Sequence, residues 1–153
     1  LIDKGIKSLV ASEKALNNFI KYSEFSATNI SNMLTGSGSN IGVSISGLLA
    51  EAKELNKFVE TTEFEASNVS SILHANGNKL GAAIKILLSQ EKELKELMIK
   101  YGLTAANVSY KLSSSKMDLK LNIQMLNKEM VKKENSSKIK AKDKRISTSL
   151  VMA

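Results

Sequence analysis

The sequence contains no cysteine and no proline, a single histidine, no tryptophan, and only four phenylalanines and three tyrosines. Without cysteine there is no disulfide framework, no thiolate metal site and no thiol nucleophile. Without proline the strongest helix breaker is gone, and the abundance of Leu, Lys, Glu and Ala argues for an all-helical chain. No apolar run approaches the roughly 20 residues that span a bilayer. The N-terminus also lacks the basic-then-apolar layout of a signal peptide, so a soluble protein with no membrane partner is expected. The lone histidine, His74, belongs to no Ser/His/Asp grouping, and neither metal-ligand spacing nor a P-loop pattern occurs. These absences predict a non-enzymatic chain with no catalytic residue, metal, cofactor or small-molecule substrate, and with His74 on the surface.

What is present is a period. Residues 64–102 repeat residues 25–63 without a gap, with 13 identities in 39 positions. Phe64 falls on Phe25, Asn68 on Asn29, Leu73 on Leu34, Gly77 on Gly38, Gly81 on Gly42 and Ile84 on Ile45. A third copy follows at the same step, with Leu103, Asn107, Val108, Leu112, Leu119, Ile123 and Leu126 at the matching phases. Residues 1–24 match the second half of a unit, so the chain is read as beginning inside a repeat of a longer array. A fixed period of this size marks a stacked-repeat protein. The expected layout is a truncated repeat at 1–24, repeats at 25–63 and 64–102, a terminal repeat at 103–134, and a basic, disordered tail at 135–153.

Inside each unit the apolar spacing describes two helices of unequal length. Phe25, Ile30, Met33 and Leu34 share one face of a short helix, and a glycine-containing loop follows. Ile41, Ile45, Leu48, Leu49, Ala52, Leu55, Phe58 and Val59 then form a wide stripe along a long helix. At roughly 1.5–3 kcal/mol per fully buried Leu, Ile or Phe, that stripe is where most of a unit's stability would arise. Gly42 and Gly81 recur one turn into the long helix, at a cost of order 1 kcal/mol each in helix propensity. Their shared phase points to close helix packing.

The formal charge of +7 is unevenly placed. Residues 103–153 hold eleven Lys or Arg against four acids, while the units before them are nearly neutral. A basic tail attracts any polyanion. It does not by itself make the repeats readers of nucleic acid. The feature that varies on the constant apolar frame is the inter-helix loop: Ser37-Gly38-Ser39, Asn76-Gly77-Asn78 and Ser115-Lys116-Met117. Such variation suits a modular reader that presents one loop per unit to one piece of a long ligand, although loops also drift more than cores.

The openings Phe25-Ser26-Ala27-Thr28-Asn29-Ile30 and Leu103-Thr104-Ala105-Ala106-Asn107-Val108, the small-residue loop Ala75-Asn76-Gly77-Asn78-Lys79 and an Ile-x-x-Leu-Leu in the following helix carry a resemblance. Over residues 1 to about 131 the chain resembles the repeats of the transcription activator-like effector superfamily, in particular its divergent bacterial members. The resemblance implies an α-solenoid wound as a right-handed superhelix along the major groove of double-stranded DNA. It implies that two adjacent loop residues per unit set base preference: Ser37 and Gly38, Asn76 and Gly77, Ser115 and Lys116. An Asn-Gly pair would prefer thymine, because glycine leaves room for the C5 methyl. Lys79 would contact phosphate at the start of the long helix, where the helix dipole also favours an anion. The resemblance is compatible with a bacterial cytoplasm or, after delivery, a host nucleus, and the sequence does not fix the compartment. The chain departs from the family in its 39-residue unit, in Ala27, Ala66 and Ala105 where the family has proline, and in Asn40 and Asp118 at the phase of Lys79. A helical scaffold for a protein or peptide partner is the alternative reading, and a single-stranded RNA reader is a third.

Overall fold

The computed structural model describes residues 2–36, 41–75, 78–114 and 116–152, and among them all regular structure is helical. The helices are α1 (Ile2–Tyr22), α2 (Ala27–Gly36), α3 (Ile41–Thr61), α4 (Ala66–Ala75), α5 (Leu80–Ser89), α6 (Glu91–Tyr101), α7 (Ala105–Ser113) and α8 (Leu119–Met152). The most extensive packing joins counterparts one unit apart: α1 on α3 and α3 on α5 in one row, α2 on α4 and α4 on α7 in the other. The two rows meet along one continuous core running from Leu16 to Leu126. The fold is all-α and repeat-like.

Burial follows phase. Ile45, Leu48, Leu55 and Phe58 are buried on α3, and the residues 39 positions on, Ile84, Leu87, Leu94 and Leu97, are buried on α5 and α6. Ile123 and Leu126 continue the series on α8. Lys133 and Ser136 then take the phases of Leu94 and Leu97 and are exposed. Nothing else can occupy those core positions, so the packed part of α8 ends there. The helix nevertheless runs on to Met152, past the point where the sequence reading turns irregular. No glycine or proline occurs after Gly102 to stop it.

The short helices begin with a recurring cap. The amide of Ser26 donates to Asn29 Oδ1 at 2.9 Å and the amide of Asn29 donates to Ser26 Oγ at 3.1 Å. Thr104 and Asn107 make the same reciprocal pair at 3.1 and 3.0 Å. Glu65 keeps half of it, donating its amide to Asn68 Oδ1 at 2.9 Å. The asparagines that align the three units therefore satisfy otherwise orphaned helix-start amides. The turn before each cap repeats as well: Phe19 stacks on Phe25 with centroids 5.3 Å apart, and Phe58 meets Phe64 at 5.5 Å. At the next junction Leu97 and Leu103 replace the rings, and Gly102, at φ 64°, closes α6 by directing its own amide and that of Leu103 to the Met98 carbonyl.

One expectation is corrected. The long helix of the second unit is broken at Gln90, which sits at φ −100°, ψ 7° between α5 and α6. Ser89 Oγ donates to the Ile86 carbonyl at 2.7 Å, a back-bond that bends helices. Ala50 stands at that phase in α3, which is continuous. Gly81 does pack closely on a neighbouring helix, against Gly47 of α3.

Candidate nucleic-acid interface

Stacking in register brings the C-terminal ends of α2, α4 and α7 to one edge of the molecule, the connection edge. Ser70 Oγ donates to the Asn29 carbonyl at 3.0 Å, and one unit on Ser109 Oγ donates to the Asn68 carbonyl at 3.2 Å. Both serines are buried, so each hydroxyl is spent on fixing one short helix to the next. His74 is on the surface as expected, but its Nδ1 lies 2.8 Å from the Asn32 carbonyl of α2. It donates there as the Nδ1–H tautomer and adds a second tie between the ends of α2 and α4.

Of the six loop residues expected to face bases, Ser37, Gly38, Asn76, Gly77 and Ser115 lie outside the described residues. Lys116 is exposed in the connection between α7 and α8. Lys79 is exposed as well and occupies the cap position of α5 in extended conformation (φ −64°, ψ 147°), where its side chain makes no capping bond. The residue thus stands at the amide end of a helix.

Asp118, at the phase of Lys79, does the opposite. Its Oδ1 accepts from the amides of Lys120 and Leu121 at 3.0 and 3.3 Å, and its Oδ2 accepts from Asn78 Nδ2 at 2.7 Å. Asn78 Oδ1 in turn accepts from the Leu119 amide at 2.9 Å. The bond from Asn78, followed by the Leu121 amide, holds the Asp118 carboxyl below the usual aspartate range. A carboxylate already fills the anion position at the start of α8. Nothing in the period marks Asn78 and Asp118 as partners, because neither type recurs at its phase.

Sequence order also conceals how charge is distributed. No acidic residue lies between Glu24 and Glu51 or between Glu65 and Glu91, and between Glu96 and Glu129 there is only Asp118, which is spent as a cap. These stretches hold the inter-helix connections. The connection edge accordingly carries Lys79, Lys116 and Lys120, all exposed, with Lys111 at the end of α7 in contact with Glu129 at 3.3 Å. Glu24, Glu60, Glu63 and Glu65 gather at the opposite edge, where one unit passes into the next. Lys111 and Lys120 are the residues of this edge that motif reasoning missed; acid-free spacing at the 39-residue step is the signal that could have found them.

Further ties hold α8. Tyr101 Oη donates to Glu134 Oε2 at 2.8 Å, and Lys100 Nζ lies 3.6 Å from the same oxygen. Contact with the Tyr101 hydroxyl, then the charge of Glu134, raises the Lys100 ammonium above its ordinary value. Glu129, between Lys133 and Lys111 at 3.2 and 3.3 Å, is held below the usual carboxylate range by those two cations, Lys133 first. Among the described residues no group of three His, Cys, Asp or Glu side chains could hold a metal ion, and no helix is long and apolar enough to cross a membrane. No family model matches the chain, and no curated protein and no solved structure matches it.

Proposed function

We propose that the chain is a non-catalytic, sequence-specific binder of double-stranded DNA: an α-solenoid of 39-residue two-helix units, related to the transcription activator-like effector repeats, that winds as a right-handed superhelix and offers one inter-helix loop per unit to one base in the major groove. The observation that carries this reading is the segregation of charge. A surface that lies along a polyphosphate gains from an excess of cations over carboxylates, and the connection edge carries exposed Lys79, Lys116 and Lys120 against Asp118, with Glu129 paired to Lys111. Lys79, Lys116 and Lys120 supply phosphate attraction there, while the loop pairs Ser37-Gly38, Asn76-Gly77 and Ser115-Lys116 supply discrimination. The division matches the general rule that phosphate contacts position and base contacts specify.

Fluorescence anisotropy of the full chain against a T-rich duplex, a scrambled duplex and single-stranded RNA, over a range of salt, tests the proposal. A second variant with Lys138, Lys140, Lys142, Lys144 and Arg145 changed to Gln removes the charge of the C-terminal segment, which would otherwise bind all three. Duplex preference retained by that variant supports the reading. Exchanging the Asn76-Gly77 pair should then shift base preference at one position by ~1–3 kcal/mol without unfolding the protein. Selection profiles that ignore the exchange would sink it.

A second reading, a scaffold for a protein segment, is favoured by one observation: an apolar groove on the carboxylate-rich edge. The two readings use opposite edges and are compatible.

A further inference from the structure

A groove of about 580 Å³ opens where the second unit passes into the third, with Phe64, Met98, Ile99 and Leu103 among its lining residues and Glu60 and Glu63 on its rim. Ile99 is 84% exposed, an unusual position for an isoleucine flanked by well-packed helices. A second hollow shares Glu60, Glu63 and Phe64 and adds Glu24 and Glu65. The two run together as one furrow, apolar in its floor and carboxylate in its walls. The nearest cation, Lys95, is engaged with Glu91 at 3.7 Å. Nucleic acid is excluded by charge, and an apolar ligand alone leaves the carboxylates unmatched. An occupant must bring several positive charges and one or two apolar side chains.

The chain itself carries such a segment. Residues 138–146, Lys-Ile-Lys-Ala-Lys-Asp-Lys-Arg-Ile, hold five basic residues, one acid and two isoleucines. They belong to α8, which continues for 18 residues beyond Glu134, a residue tied to Tyr101 and Lys100 of the preceding unit. At ~1.5 Å per residue that extension measures about 27 Å, enough to reach a neighbouring molecule. We infer that the furrow of one copy receives the basic C-terminal segment of a second copy, with an isoleucine against Ile99 and Met98 and the lysines against Glu60 and Glu63. The contact is head-to-tail, and its strength depends on salt because its rim is charged. It does not depend on whether the opposite edge binds DNA.

Sedimentation velocity of the full chain over rising concentration, at low and at physiological salt, reads this directly. The wild-type chain should self-associate, more strongly at low salt. Glu60→Lys combined with Glu63→Lys should weaken association about tenfold or more, as reversal of facing charges does, and Lys140→Glu combined with Lys142→Glu and Lys144→Glu should do the same. Mixing these two variants should restore association, because the unchanged basic segment of the first meets the unchanged furrow of the second and the acidified segment of the second meets the basic furrow of the first. Ile99→Ser, at an exposed position that cannot unfold the core, should weaken association at high salt too. A wild-type chain that stays monomeric throughout, an association unchanged by either charge reversal, or variants that fail to pair with each other would each overturn the inference.

Discussion

A Cβ placed on Gly47 would stand 2.8 Å from both the Cα and the amide nitrogen of Gly81, and one placed on Gly81 would stand 3.1 Å from the Gly47 Cα. Helices α3 and α5 therefore touch backbone to backbone, and this contact sets how near the first two full units lie. It is not repeated, because Ile86 and Lys120 occupy the corresponding phases one unit on. The array is a repeat in its core and particular in its spacing.

Alanine at Gly47 should accordingly destabilise the protein even though alanine favours helix by ~1 kcal/mol. The new methyl meets backbone, which cannot rotate away, and overpacking of this kind costs about 1–3 kcal/mol. Gly81→Ala, with the looser 3.1 Å approach, should cost less. Urea titration of both variants checks the order; equal or raised midpoints would show that the helices can part freely.

The serines that stack the short helices should behave unlike the serine in the core. Ser70→Ala and Ser109→Ala each remove a donor from a carbonyl of the preceding unit, and a loss of about 1 kcal/mol is expected for each. Ser44 is fully buried and its hydroxyl has no hydrogen-bond partner. Ala83 occupies its phase in the next unit. Ser44→Ala should therefore stabilise, by about 1 kcal/mol. Opposite signs in thermal unfolding are the decisive readout.

Phe64 is 2% exposed and meets Phe58 at the turn between two units. Leucine stands at its phase in the following unit, so Phe64→Leu should cost far less than Phe64→Ala, for which ~3–5 kcal/mol is typical of a buried ring. Chemical denaturation of the pair would separate volume from aromaticity.

Acid should loosen the junction between the second and third units. The folded Asp118 titrates below its ordinary range, so the bond from Asn78 and the cap of α8 contribute fully above the unfolded value near ~4. They are lost as pH falls through the lower folded value. Glu129 acts in the same sense. Lys100 acts in the opposite one: its folded value is raised, so its contribution is complete below the ordinary lysine value near ~10.4 and fades as pH rises through the folded value. Melting temperatures recorded from pH 7 to pH 2 should fall more steeply for the wild-type chain than for Asp118→Asn. Identical slopes would remove Asp118 from the account.

Ser89→Ala should join α5 and α6. Removal of the hydroxyl bonded to the Ile86 carbonyl restores the alanine that keeps α3 continuous at this phase. Slower amide exchange around Gln90 is the expected outcome, with a stability gain of a few tenths of a kcal/mol from propensity.

Much of this could be read along the chain. Leu48, Leu87 and Leu126 are buried because each sits at one phase of a helical stripe, and a stripe is a local property of neighbouring residues. Asn29, Asn68 and Asn107 aligned the units, and their capping bonds reach only three residues away. All-helical character needed no more than the absence of proline and the periodicity of the leucines. The meeting of Gly47 with Gly81, the bond from Ser70 to Asn29, the latch between Asn78 and Asp118 and the gathering of Glu24, Glu60, Glu63 and Glu65 on one edge are of another kind. They join residues that local spacing does not relate, and they exist only once helices are laid side by side at a given distance and rotation. That distance and rotation come from the packing of whole faces, which no single residue encodes.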